Sequence, residues 1–395
     1  MNWRRNLSAL WFAEFMAIFG FSFAFPFLPI FLNKDLGVQP GTDLYLWTAA
    51  AASASGISMA IASPIWGILG DRYGRKPMLV RSMLGGAITV GLIFFAQSPL
   101  ELVVLRLLQG ATSGTVAAAT SLVAAETPRS RVGWSLGVVN SGVALGSAIG
   151  PVVGGLLGDV LGLRQVFLVG GLLLLASVVP VFLVVRESPR PPRVGPQVST
   201  VAMIRAQPGL LQALAVLIGA QGLISVCNSA SQPLVVLRLL QMMTSGVSFV
   251  TGVAFGLAGL ASSVAAVGYT RLTRRYGYVA TVAVCAALTA IAIALIGVSP
   301  WVSLVVIAVG LNGLFGGVII PATAAMIGLE TPHEAQSTVF GFNASSIALG
   351  FFIGPLMGGS VAALTGNVTI ALFVVAGLAV LLSALVAKTA REPAR

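Results

Sequence analysis

Apolar residues fill this 395-residue chain in long runs, broken by short polar turns that carry Gly, Pro, Asp or Arg. Each run reaches the roughly 20 residues that a helix needs to cross a bilayer. Twelve spans are predicted, at about 7–32, 43–69, 77–97, 100–125, 133–158, 164–186, 208–237, 246–270, 279–298, 301–327, 336–362 and 366–387. The turns within 77–97/100–125 and 279–298/301–327 are very short, so those boundaries are set least sharply. No period-two alternation competes, so a β-barrel is not expected. The predicted fold class is an all-α membrane protein of twelve transmembrane helices.

The pattern also repeats. Glu126, Thr127, Pro128, Gly137, Ser141, Ala144, Leu145, Gly146, Ile149, Gly150, Pro151, Gly154 and Gly155 recur 204 positions later as Glu330, Thr331, Pro332, Gly341, Ser345, Ala348, Leu349, Gly350, Ile353, Gly354, Pro355, Gly358 and Gly359. Weaker echoes link Arg72-Tyr73-Gly74 with Arg275-Tyr276-Gly277 and Gln109-Gly110 with Asn312-Gly313. An even number of spans per half makes the two copies parallel pseudo-repeats of six helices, related by an axis along the membrane normal. The expected division is an N-terminal half over 1–186, a cytoplasmic linker over 187–207 and a C-terminal half over 208–395. The linker is rich in Pro and basic residues and cannot continue a helix, so it reads as a surface tether. A short interfacial helix over Val198–Arg205 is the alternative.

Composition agrees with a bilayer environment: 57% hydrophobic, 8% charged, mean hydropathy +0.98. The net charge of +11 would suggest a nucleic-acid partner, but its distribution does not. With the N-terminus inside, 18 of the 22 Lys and Arg fall in cytoplasmic segments, and only Lys34, Arg164 and Arg238 lie on the opposite face. That is a positive-inside pattern, with both termini cytoplasmic in the cell (inner or plasma) membrane. The basic start of Met1 to Leu32 looks like a signal peptide, but the apolar run is long for one and is expected to be kept as span 1. Cys227 and Cys285 both fall inside spans and give no disulfide framework. His333 is the only histidine, so no multi-histidine metal site is expected, and no cofactor.

Between spans 2 and 3 lies Gly67-Ile68-Leu69-Gly70-Asp71-Arg72-Tyr73-Gly74-Arg75-Lys76-Pro77. An acid among cations, flanked by glycines at a tight turn, is not an ordinary basic loop. This GxLGDRxGRK segment resembles the signature loop of the major facilitator superfamily, and the duplicated twelve-span plan extends that resemblance over the whole chain. Arg106-Leu107-Leu108-Gln109-Gly110 is similar to the family's RxxQG motif. Span 5, with Gly142, Gly146, Gly150, Pro151, Gly154 and Gly155, looks like the motif of its drug:proton antiporters. NWRRNL with FPFLPIFL and the run to Arg186 resemble multidrug exporters of the MdtG type. The resemblance implies gating or conformational roles for Gly67, Gly70, Asp71, Arg72, Gly74, Arg75 and Lys76, with Asp71 approaching the start of span 11 when the cytoplasmic side is closed. It also links Arg106 to proton coupling.

Physical reading adds to this. Glycines every fourth residue put a groove along span 5 that lets a neighbouring backbone approach closely, and Pro151 bends it. Simple tight packing accounts for the pattern; a hinge or seal between the halves is the functional addition. Span 11 repeats it through Gly350, Gly354 and Pro355, so spans 5 and 11 are expected to meet near the axis. Thr331-Pro332-His333-Glu334 reads as the capped start of span 11, with His333 solvated rather than a relay.

A charge inside a span costs about 2.5–3.5 kcal/mol on insertion scales, so Glu14 and Arg106 should face protein or water. They lie at depths that argue against a direct ion pair. The other ten acids fall in loops, tails or span ends, which leaves Glu14 as the carboxylate candidate for carrying protons. A carboxylate reaching interfacial water is the plainer alternative. Pocket candidates are the aromatic or polar groups inside spans: Phe19, Phe23, Gln109, Ser113, Asn140, Gln221, Asn228, Asn312 and Asn343. Bonding between helices would explain each amide equally well.

The expected function is proton-coupled export of small amphipathic or drug-like compounds by alternating access, driven by the proton gradient. The partners are the substrate, protons and the bilayer, with the chain acting as a monomer. A sugar or siderophore exporter or facilitator is the alternative within transporters. A membrane enzyme is disfavoured because the spans hold no HExxH pair, no Ser/His dyad and no carboxylate cluster. A non-transporting sensor has no long soluble domain to support it.

Overall fold

The computed structural model describes residues 3–188, 209–332 and 335–392. Residues 189–207 of the linker, with the helix considered over Val198–Arg205, lie outside it, as do His333, Glu334 and the side chain of Asp71. Twelve described helices are long and apolar enough to cross a bilayer. Span 1 is Trp3–Lys34, span 3 Arg75–Phe95, span 4 Pro99–Glu126, span 5 Val132–Leu161, span 6 Leu163–Val184 and span 7 Leu210–Met242. Spans 8 to 10 are Val247–Tyr276, Tyr278–Val298 and Val302–Glu330, and span 12 is Val368–Thr389. Helix Thr42–Tyr73 forms span 2 and helix Gln336–Thr365 forms span 11. Most run a few residues past the predicted limits, because helices continue beyond the apolar core into the polar interface. Large apolar side chains lie on the outside, Val267 at 83% and Leu364 at 87% exposure, which suits lipid and not water as the surrounding solvent.

Each half is a six-helix bundle. Span 1 packs on spans 5 and 6, span 2 on span 4 and span 3 on span 6; in the second half span 7 packs on spans 10, 11 and 12, span 8 on span 10 and span 9 on span 12. The two halves meet through span 5 against span 8 and span 2 against span 11. The expectation that spans 5 and 11 pair near the axis is therefore corrected: each meets a different helix of the opposite half.

The repeated Gly-Gly pair explains that geometry. A Cβ on Gly154 would strike the carbonyl oxygen of Phe23 in its own half, whereas one on Gly155 would strike that of Ser248 in the other. In the copy, Gly358 faces Leu234 at 3.2 Å in its own half, and Gly359 faces the Tyr45 oxygen at 2.9 Å across the interface. The first glycine seats the helix in its bundle and the second seats the bundles on each other. Gly146 and Gly150 continue the inner seam, where a Cβ would come within 2.8 Å of Phe19 N and of Ser22 Cβ; Gly354 does the same beside Val226 O at 2.6 Å.

All these cross-half approaches involve residues 45–56 with 351–359 and 148–155 with 248–259. They lie toward one end of the molecule, opposite the end that carries residues 3 and 392. At the terminal end the halves stand apart, and Ile65 and Ile68 of span 2 are exposed at 53% and 72%.

Two glutamates close the bundles at the terminal end. Glu187 accepts hydrogen bonds from the backbone N–H groups of Arg75 (2.8 Å) and Lys76 (2.9 Å) at the start of span 3. Glu392 accepts from Tyr278 (3.0 Å) and Val279 (2.8 Å) at the start of span 9. Both helix starts follow a glycine with positive φ, Gly74 at 100° and Gly277 at 85°, and each start presents unpaired N–H groups and positive dipole to its carboxylate. Thr331 does not cap span 11: its hydroxyl donates to Ile327 O at 2.5 Å and closes span 10.

Candidate functional site

A cavity of about 1170 Å³ lies between the halves, lined by residues of spans 1, 2, 4, 7 and 11. Its wall is mostly apolar, with Phe21 and Phe25 from span 1 facing Phe342 and Phe351 from span 11. Arg106 is the one charged side chain on the lining.

Arg106 is held from several sides. Its Nε donates to Ala51 O at 3.0 Å, one terminal nitrogen to Ser55 Oγ at 2.7 Å and the other to Gln109 Oε1. The guanidinium carbon stands 4.2 Å from the centroid of Phe25. Arg106 and Gln109 share a helix face because they are three residues apart, so the RxxQG spacing builds this bond directly. A planar, forked donor is required to reach span 2, Gln109 and an aromatic face together. Losing one such charge-assisted bond, worth about 1.5–3 kcal/mol, predicts that Arg106→Lys slows substrate exchange more than about tenfold in a counterflow assay. Unchanged exchange would contradict the assigned geometry.

Span 4 is broken beside this arginine. Its first helix ends at Thr112, Gly114 takes a left-handed conformation at φ 119°, and a second helix starts at Thr115. Such a break frees carbonyls, tolerated at membrane depth only where other groups take them up. Trp66 Nε1 donates to Ala111 O at 2.6 Å, and Arg81 donates to Ser113 O at 3.3 Å while stacking 3.6 Å from the Trp66 ring. Ser113, Gly114 and Thr115 line the cavity.

Glu14 lies behind that break. It is fully buried on span 1, and neither carboxyl oxygen has an aligned hydrogen bond, although the Thr115 side chain is its polar neighbour. It forms no ion pair with Arg106; the described residues contain one ion pair, Arg164 with Asp35 at 3.8 Å.

The structure sorts the sequence candidates. Gln109 and Ser113 line the cavity together with Arg106, and Pro355 forms part of its wall. Phe19 and Phe23 do not: they lie on the face of span 1 that packs on Gly146, Gly150 and Gly154. The pocket aromatics are Phe21 and Phe25, two residues further along and so on another face of the helix. Gln221 takes the interhelical alternative, its Oε1 accepting from Thr323 of span 10. Asn228 sits beside Gly316, and Asn140 is exposed on span 5. Asn312 and Asn343 keep a buried Oδ1 without a partner, away from the lining. Arg72 stacks on Tyr73, Arg75 donates to Ser121 O, and Lys76 donates to Phe182 O and Val185 O. Gly67 and Gly70 meet no backbone of the other half. Phe25, Phe342 and Phe351 were missed because neither span 1 nor span 11 keeps its polar residues on one side, so no periodicity marks the facing side.

The family model described as Major Facilitator Superfamily matches residues 10–277 and 248–395. The chain belongs to the major facilitator superfamily. The multidrug resistance protein MdtG of Dickeya zeae (strain Ech586) is 32% identical over 373 residues, covering 93% of this chain and 90% of its own. That of Salmonella arizonae is also 32% identical, over 374 residues, covering 93% and 91%. Among solved structures, the nucleoside transporter NupG superposes with TM-score 0.81 at 14% identity, covering 96% of this chain and 98% of its own. The human organic anion transporter MFSD10 (TETRAN) gives 0.71 at 21%, covering 98% and 100%. The protein is thus an integral membrane transporter of small molecules and not an enzyme.

Proposed function

We propose that this superfamily member exports small amphipathic compounds in exchange for protons, by alternating access of one central site. The observation that carries the reading is the cavity: apolar and aromatic over most of its wall, with Arg106, the amides of Gln109 and Gln232 and scattered hydroxyls such as Ser55, Ser113 and Ser229 as polar points, open between halves that are sealed at the far end. Such a wall holds an amphipathic ligand better than a polyol, which needs many hydrogen bonds. The relatives named as multidrug resistance proteins support the same substrate class. The positive-inside pattern supports cytoplasmic termini, and in this reading the opening at the terminal end is the loading side.

Glu14 supplies the coupling in this reading. A carboxylate with no partner in a dry site is costly, while the neutral acid is cheap. Releasing the proton therefore requires a rearrangement that brings water or a partner, and Thr115 connects the acid to the broken, cavity-lining part of span 4. Counterflow in proteoliposomes tests the substrate class. Lipophilic dyes and drugs should exchange, and sugars should not; exchange of sugars alone would favour the metabolite reading.

A further inference from the structure

At the sealed end, Asp159 joins the two halves. Its Oδ2 accepts a hydrogen bond from the backbone N–H of Phe249 at 2.9 Å, in the first turn of span 8. That turn has no cap of its own. Gly246 occupies the capping position at φ 69°, no side chain accepts there, and the turn contains no acid. The first N–H groups of a helix lack intrahelical partners and carry the positive end of its dipole. Here the anion that serves them comes from the other half of the protein.

The rest of that seam is uncharged. Gly155 lies against Ser248, and a Cβ on Gly256 would come within 3.0 Å of Ala148 O, so backbone meets backbone with no charge involved. Among the described residues one other hydrogen bond crosses the interface, Gln241 Nε2 to Tyr45 Oη at 3.1 Å, and both of its groups are neutral.

We infer that Asp159 is the latch of the sealed end: its carboxylate on the span-8 terminus holds the halves together there and must let go for that end to open. This rests on the alternating-access reading above, and makes Asp159 a positioning residue for transport that touches no substrate. In the sequence it lies four residues beyond Gly155, the last glycine of the span-5 pattern.

The test is spin-label distance measurement on the full chain in nanodiscs, with Cys227 and Cys285 replaced by alanine. One label pair, Phe95→Cys with Trp301→Cys, reports the sealed end, and another, Leu183→Cys with Leu329→Cys, reports the terminal end. All four positions are exposed, one of each pair lies in each half, and none is near Asp159 in sequence. Asp159 is exposed and screened by solvent, so a terminus–anion attraction of this kind predicts that Asp159→Ala raises the open-to-sealed ratio at the first pair by about fivefold. The second pair should shorten reciprocally. Asp159→Asn keeps an acceptor without the charge and should shift less. Raising salt should move wild type toward the alanine variant and leave that variant in place. Unchanged distributions in both variants overturn the latch while leaving alternating access intact. A single population at each end under every condition, wild type with substrate included, overturns the alternating-access reading and the latch with it.

Discussion

Gly155→Val is expected to abolish substrate transport while each six-helix half still folds. The Cβ would strike the Ser248 carbonyl oxygen and stand 3.2 Å from Gly252 Cα, both backbone of the opposite half and neither able to swing aside. Relief requires the halves to move apart along the span 5–span 8 seam. Overpacking of this kind costs about 1–3 kcal/mol, which displaces the sealing equilibrium by about fivefold to over a hundredfold. Gly154→Val should behave differently. Its neighbour is the Phe23 backbone within one half, so the loss should appear as lowered thermal stability. Melting temperature and counterflow measured on both variants distinguish the two seams. Equal destabilisation with equal transport would contradict the division of labour between the paired glycines.

Glu14→Gln is expected to leave substrate exchange intact and abolish substrate-driven proton movement. Glutamine has nearly the shape of the protonated acid and cannot release a proton. The fully buried site already holds its carboxyl without an aligned partner, so a neutral amide should be accommodated with little change in fold. A pH-sensitive dye trapped in proteoliposomes reads the proton flux, and counterflow in the same vesicles reads exchange. Proton movement unchanged from wild type would remove Glu14 from the coupling route.

Much of this was legible in the chain. Twelve apolar runs and the offset of 204 give two like halves, since lipid demands whole spans and duplication preserves their glycines. The Arg106–Gln109 pair was legible because polar groups three apart on a helix must share a face. The partners of span 5 were not: a glycine groove shows that some backbone comes close, but not which; span 1 fills the groove, and span 8, not span 11, meets the helix across the interface at Gly155. The pocket aromatics are Phe21 and Phe25, one face away from Phe19 and Phe23, because the one polar residue in that stretch, Ser22, packs against Gly150 and does not mark the wet side. The break at Gly114 could have been suspected from Ser113-Gly114-Thr115, but glycine is common in packed membrane helices and carries little signal there. Glu187 opens the linker and Glu392 lies in the C-terminal tail, where sequence names no partner; their bonds to Arg75, Lys76, Tyr278 and Val279 make them matching caps 205 positions apart.

The most direct test of the central claim is accumulation against a gradient. Proteoliposomes are prepared with an acidic lumen, and a lipophilic compound that exchanges in counterflow is supplied outside at low concentration. The account predicts that the compound rises inside above its outside concentration, that a protonophore returns it to equality, and that Glu14→Gln vesicles reach equality only. Accumulation that ignores the pH gradient, or equilibration alone in wild type, would contradict proton-coupled export.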